Sequence, residues 1–199
     1  MGIVFSDLAV SADGFATGLN QREEAPFGDV DENWLHGWMF HAHEENKSEV
    51  DAILDSNATI MGRNMFGPVR GEWDRDWRGW WGPNPPYHGP VFVLTHFAHD
   101  PIEMEGGTTF HFVTDGIHSA MEQARAAAGD QNISIAGGAT TVNQYLAAGL
   151  LDELRLHVTP CILGAGERVF DGVEPQALER LSVRVASRVT HITYRPVQA

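Results

Sequence analysis

With 199 residues, 43% of them hydrophobic and 20% charged, the chain carries enough apolar material to bury one core without disulfides or a structural metal. A net charge of −14, with Lys47 the only lysine, argues against a duplex nucleic acid or an anionic membrane surface as partner, because both demand clustered cations. No apolar stretch approaches the roughly 20 residues that cross a bilayer, and Cys161 stands alone, so no internal disulfide is available.

In chain order, residues 2–10 read as a buried strand, closed by the turn chemistry of Ser11, Ala12, Asp13 and Gly14. A Gly-, Glu- and Pro-rich loop runs to about residue 29. Over residues 31–54, Trp34, Leu35, Trp38, Met39, Val50, Ile53 and Leu54 recur at helical spacings, with a break expected near Asn46 and a cap at Asp31 or Asn33. Residues 58–61 form a short apolar strand leading into Gly62-Arg63-Asn64-Met65-Phe66-Gly67, and residues 72–90 are a Trp- and Pro-rich connection. Strands follow at 91–95 and 109–113, then a helix at 116–128 built from good helix formers. Another strand at 132–136 runs into Gly137-Gly138 and a helix over 139–148. The last third reads as strands at 153–160 and 181–194 around a Gly164-Ala165-Gly166 turn, with a weak helix near Ala177. Strands and helices that alternate and then give way to strands imply a single α/β domain over 1–199. Its sheet is expected to be mainly parallel, with helices on both faces and antiparallel C-terminal strands at one edge.

The strongest local signal is Ile133 to Val142, where a strand breaks at two glycines and turns at once into a helix. Such a turn presents backbone N–H groups and the positive helix end to an anion, with Thr140 and Thr141 adding hydroxyls; an ordinary strand-to-helix turn needing positive φ reads the same way. It lacks the Gly-Lys-Ser/Thr of a Walker loop and the third glycine of a Rossmann fingerprint. His36, His41 and His43 with Glu44 and Glu45 do not make a metal site, because residues two apart on a helix point to different faces. Cys161, in an apolar context without a neighbouring base, reads as a buried structural thiol, and no Gly-x-Ser-x-Gly elbow is present. The Trp-rich stretch 73–87 is suited to lie over a planar ring, or to anchor a dimer contact or packing cluster.

Ile135-Ala136-Gly137-Gly138 before a helix, Met61-Gly62-Arg63-Asn64-Met65 after a strand, Val93-Leu94-Thr95-His96 between them, and Ala9 to Gly14 closing the first strand stand in a meaningful order. That order and spacing resemble the cofactor segments of the dihydrofolate reductase superfamily. Residues 151–160 followed by Leu163-Gly164-Ala165-Gly166 look like its riboflavin-biosynthesis reductase branch. The resemblance implies the three-layer dihydrofolate-reductase-like fold and an NADPH-dependent reductase acting on a C=N or C=O bond of a small heterocycle, pterin- or ribosylaminopyrimidine-like. It implies that the Ala9 backbone holds the nicotinamide carboxamide, and that Gly137, Gly138, Ala139 and Thr140 lie against the pyrophosphate. Gly62, Arg63, Asn64 and Met65 form the adenosine-phosphate side, with Thr95 and His96 beside them. Arg63 suits a 2′-phosphate, since a guanidinium meets phosphate oxygens bidentately, or else makes a surface ion pair.

Asp13 and Thr17 are the candidates for organising the water that delivers a proton; Asp13 reads equally as a turn carboxylate. Ser11, Trp34 and Trp81 are the candidates for lining the substrate. The carboxylate that holds the pterin in dihydrofolate reductases has no clear match: Asp31 and Glu32 fall a turn early, and Leu35, His36 and Gly37 fill its register. A non-catalytic nucleotide- or flavin-binding protein of the same fold is the alternative. The branch also implies a homodimer, which residues 154–158 could build by pairing across a two-fold axis. The opening strand-like Ile3-Val4-Phe5 and the unpaired cysteine point to the cytoplasm.

Overall fold

The structure, a computed structural model, describes residues 2–197. A nine-stranded sheet forms its middle layer, in the order β10-β11-β8-β1-β7-β3-β4-β6-β5. Its central strands are β1 (Val4–Ser11), β3 (Ala58–Gly62), β4 (Pro90–Leu94), β6 (Thr109–Val113), β7 (Ile133–Gly137) and β8 (Glu153–Thr159). All neighbours among these pair in parallel. β1 and β3 are buried almost throughout, as strands covered on both faces must be.

Side-chain alternation sorts the two faces. Leu8, Val10, Ile60, Phe92 and Ile135 point to one side, under α4 (Gly116–Ala128) and α5 (Ala139–Ala147), which contribute Met121, Ala124, Val142 and Leu146. Tyr145 ties the two helices together by donating from Oη to the Ile117 carbonyl at 2.9 Å. On the opposite side Met61, Val91, Val93 and Phe110 meet Phe66 of the short helix α3 (Arg63–Phe66) and the rings of Trp73, Trp77 and Trp81. The same side carries α1 (Glu32–Phe40) and α2 (Lys47–Ile53), joined by a 3-10 turn at Glu44–Asn46, so the expected helix breaks where Asn46 stands. Asp31 caps α1, accepting from the Asn33 amide at 2.9 Å.

The antiparallel finish is shorter than expected, because β8 joins β1 in parallel. Only β10 (Leu178–Val185) and β11 (Thr190–Pro196) are antiparallel there, and β5 (Ile102–Glu103) adds an antiparallel strand at the far edge. Since β8 is enclosed by β1 and β11, residues 154–158 have no free edge with which to pair with a second chain. The helix expected near Ala177 is absent. Pro175 interrupts the segment, and the Ala177 carbonyl accepts from the Val197 amide at 3.0 Å, drawing the chain into the terminal hairpin. A small second sheet pairs β2 (Phe15–Thr17) with β9 (Glu167–Arg168). Among the described residues no helix is long and apolar enough to cross a membrane.

Candidate cofactor and substrate site

The parallel register brings the carboxyl ends of β7, β3 and β4 to one edge, with Met61 opposite Gly137 and Gly62 opposite Leu94. Open α/β sheets hold their ligands at that edge. Gly137 has φ +129, a conformation that side-chain-bearing residues rarely adopt, and the peptide to Gly138 is cis. A methyl group at Gly62 would lie 2.3 Å from Thr141 Oγ1, so β3 and the first turn of α5 meet only because position 62 has no side chain. At Gly138 the same addition meets nothing within 4 Å, and the corner is open above it. The Thr141 and Val142 amides both turn back to the Gly138 carbonyl, whereas those of Ala139 and Thr140 have no intrahelical acceptor. Thr140 Oγ1 donates to Glu167 Oε2 at 3.2 Å.

Arg63 opens α3 directly after Gly62 and is 8% exposed. Its guanidinium lies 3.8 Å from the Trp73 ring centroid and 5.1 Å from that of Phe97, and Nη1 donates to Thr95 Oγ1 at 3.2 Å. Nε and Nη2 are buried with no hydrogen-bond partner in the protein. Burial draws the Arg63 pKa downward, and the neighbouring Arg70 adds to that, with Asp74 opposing. Arginine stays protonated in proteins, so this is a desolvated cation with two idle donors. It is not the surface ion pair that was the alternative reading. Asn64 is exposed beside it, and Met65 Sδ reaches to 3.3 Å from the position a Gly137 side chain would take. Thr95 Oγ1 also accepts from the Phe97 amide at 3.1 Å, which fixes the loop under Arg63; His96 next to it is exposed.

Arg70 was not anticipated, since it sits in irregular chain with no periodicity to mark it. It acts electrostatically on Arg63 on one side, while Glu167, the carboxylate that holds Thr140, acts on Arg70 on the other. Arg70 Nη1 donates to the Gly67 carbonyl, just past α3.

The loop after β1 behaves differently. Asp13 accepts from Ser11 Oγ at 2.6 Å, from the Gly164 amide at 2.7 Å and from the Leu163 amide at 3.1 Å. The Ser11 bond first, and then the two amides, hold its carboxyl at about 2 against the ordinary 3.8. Asp13 is thus an ionised clasp between two loops and has no proton of its own to give at neutral pH. Thr17 Oγ1 is likewise committed, donating to the Phe27 carbonyl at 2.9 Å, and Ser11 Oγ also accepts from the Phe15 amide at 2.9 Å. Ser11 is 1% exposed and cannot face a substrate. Ala9, half-buried on the α1 face of β1, pairs with His157.

Trp34 is 53% exposed and lines a cavity of about 430 Å³ with Asn33, Trp38, Pro160, Cys161, Ile162, Ser187 and Arg188. Cys161 is a half-exposed wall of this cavity, not a buried thiol. Trp38 Nε1 and His36 Nδ1 are buried on α1 without partners. His36, in the register expected of a substrate-holding carboxylate, packs at a tilt on Phe27 with ring centroids 4.4 Å apart, and burial pushes its pKa down to about 4, so it is neutral. Trp81 lies elsewhere: its ring stacks 6.0 Å from Phe110 and meets Tyr87 edge-on, part of the apolar cluster around Phe66. It is packing, as are Trp73 and Trp77, whose indole N–H groups are spent on the Phe97 and Phe66 carbonyls.

A family model described as the RibD C-terminal domain matches residues 3–192. The uncharacterized protein YyaP of Bacillus subtilis (strain 168) is 25% identical over 200 residues, covering 96% of this chain and 93% of that protein. Among solved structures, RibD of Acinetobacter baumannii superposes with a TM-score of 0.62 at 18% identity, over 100% of this chain and 59% of its own. A pyrimidine reductase-like protein from Corynebacterium diphtheriae gives 0.60 at 13% identity, over 100% and 93%. The riboflavin biosynthesis reductase Rib7 of Saccharomyces cerevisiae gives 0.57 at 14%, over 99% and 89%. The chain therefore belongs to the RibD C-terminal domain family, and its architecture is the dihydrofolate-reductase-like fold of those reductase domains.

Proposed function

We propose that the protein is an NADPH-dependent reductase that transfers a hydride to a C=N or C=O bond of a small heterocycle, pterin- or ribosylaminopyrimidine-like. The observation that carries this reading is Arg63, a buried guanidinium with two idle donors, set on the same strand-end edge as an open glycine corner. A dianionic 2′-phosphate is the complement that a desolvated cation lacks. The free amides of Ala139 and Thr140 and the open space at Gly138 suit a diphosphate. Arg70, which acts electrostatically on Arg63, and Glu167, which acts on Arg70, would tune the charge met by the cofactor.

When bound, the cofactor supplies the hydride. The protein contributes placement. Gly62 and Gly137 keep side chains out of the corner, Arg63 and Thr95 fix the phosphate end, and the Ala9 backbone orients the nicotinamide amide. The cavity beside Trp34, walled also by Asn33, Trp38 and Arg188, receives the heterocycle. Water delivers the proton, since Asp13 and Thr17 are both committed. That commitment also favours a second reading, a nucleotide- or flavin-binding protein of the same fold without turnover. Measuring NADPH oxidation across pterins and ribosylaminouracils separates the two: substrate-dependent oxidation supports the reductase, whereas tight NADPH binding without turnover supports the second.

A cytoplasmic homodimer is part of the same proposal. Its contact belongs on the edge strand β10, where Leu181, Val183 and Val185 stand 37%, 49% and 75% exposed. Sedimentation of the parent and of Val183→Lys tests it; a monomeric parent contradicts it.

A further inference from the structure

Beneath α1, away from the glycine corner, a chain of buried polar groups crosses three strands. His157 Nε2 lies 3.0 Å from Asp7 Oδ1, His157 Nδ1 lies 2.8 Å from His191 Nδ1, and His191 Nε2 lies 2.9 Å from Asn46 Oδ1. The side chains of Asp7 and His157 are 5% and 4% exposed, and Asn46 is fully buried. Trp38 packs on both imidazoles, with centroids 4.7 and 5.0 Å away.

The orientation of Asn46 sets the proton count. Its Nδ2 donates to the Trp38 and Ala42 carbonyls at 3.2 and 2.8 Å, and its Oδ1 accepts from Arg184 Nη2 at 2.9 Å, so Oδ1 faces His191 and can only accept. His191 Nε2 must therefore carry a hydrogen. At the other end an ionised Asp7 also only accepts, so His157 Nε2 must carry one too. The Nδ1–Nδ1 contact between the rings needs a third, while two neutral imidazoles bring two between them.

We propose that Asp7, His157, His191 and Asn46 form a buried proton-binding site that holds one proton more than two neutral histidines and a carboxylate, with His157 as the cation.

The surroundings agree with that placement. Arg155 Nη1 lies 3.5 Å from Asp7 Oδ2, so a guanidinium flanks the carboxylate on the side away from the ring and the shared proton is placed on His157. Arg155 also pairs with Glu153 at 3.0 Å, and Arg184 pairs with Glu49 at 2.6 Å. The carboxylates Asp7, Glu49 and Glu153 face the two cations Arg155 and Arg184, and Glu45 adds a fourth carboxylate, so the surroundings are net negative and favour a positive charge on His157. Burial, and next the charge of His157, push His191 down to about 4, making it the neutral partner. Neutral His36 on α1 and Glu45, which is held by Ser187, complete the groups facing the chain. Through Trp38 the site bears on a wall of the 430 Å³ cavity.

Above the ordinary histidine value of about 6.5 the folded chain binds a proton that the unfolded chain lacks, so stability falls as pH rises. Below it the unfolded chain takes up two protons and the folded chain only one, so the sign reverses. The direct test is nitrogen NMR of the native protein labelled in histidine. One imidazole should be protonated on both nitrogens at about pH 7, beside a neutral ring protonated on Nε2. Finding both rings neutral at pH 7 overturns the proposal. As a second readout, unfolding the parent at about pH 8 should release about one proton more than unfolding the His157→Gln, His191→Gln double variant. Equal release also overturns it, and if the double variant does not fold, the NMR result on the native protein decides alone.

Discussion

Two loops meet the carboxyl edge of this sheet, and they treat their polar groups in opposite ways. In the clasp around Asp13 the polar groups named above are used: Ser11 and the Leu163 and Gly164 amides donate to Asp13, and Thr17 donates to the Phe27 carbonyl. Around Arg63 and Gly138 they are not, for two guanidinium nitrogens and the first amides of α5 are left over. A buried donor without a partner costs free energy comparable to a lost hydrogen bond, so a fold tolerates it where a ligand completes the set. The clasp is architecture, and the open corner is the proposed seat.

The largest effect that would sharpen this contrast lies in the clasp. A methyl group at Gly166, where φ is +151, would sit 1.9 Å from the Thr17 carbonyl oxygen. Gly166→Ala should lose about 3 kcal/mol or more in denaturant unfolding, the sum of backbone strain and overlap with atoms that cannot rotate away. A loss below about 1 kcal/mol would show that the clasp is slack.

Arg63 should answer the other way. Removing a buried cation that has no anionic partner relieves a desolvation cost, so Arg63→Met should unfold within about 1 kcal/mol of the parent, or above it. The same variant should bind NADPH roughly 10- to 100-fold more weakly, the worth of charge-assisted bonds to one phosphate. If it unfolds much more easily and binds unchanged, Arg63 is architecture as well.

Asp13 gives a pH signature. Its folded pKa lies near 2, below the ordinary 3.8, so its contribution is complete above about pH 4 and is lost as the pH falls toward 2. Acid unfolding of Asp13→Asn should lack this component, and its NADPH affinity at neutral pH should stay within about threefold of the parent if the clasp is not a proton donor. The smallest effect is expected at Thr140, whose hydroxyl is already engaged by Glu167. Thr140→Ala should weaken NADPH by about threefold or less.

Much of the scaffold was legible because the physics is local. The strands at 58–61 and 91–95 and the helix at 116–128 follow from apolar runs and helix formers, and the Gly137-Gly138 break follows from a conformation only glycine accepts. What depends on distant partners was not legible. Asp13 reads as a water-organising or a local turn carboxylate until residues 163 and 164 arrive to bond it, and Trp81 reads as ring platform or packing anchor until Phe110 and Tyr87 cover it. The burial of Arg63 comes from Trp73 and Phe97, which no spacing links to it. β8 looked like an exposed edge because the hairpin that encloses it is set by register and not by composition.

The central claim is that the idle nitrogens of Arg63 await a phosphate. Calorimetric titration of NADPH and NADH into the parent and into Arg63→Met tests it most directly. The account predicts that the parent prefers NADPH by roughly tenfold or more and that the variant loses this preference while keeping its affinity for NADH. Equal affinities for the two dinucleotides in the parent, or a preference that survives in the variant, would contradict it.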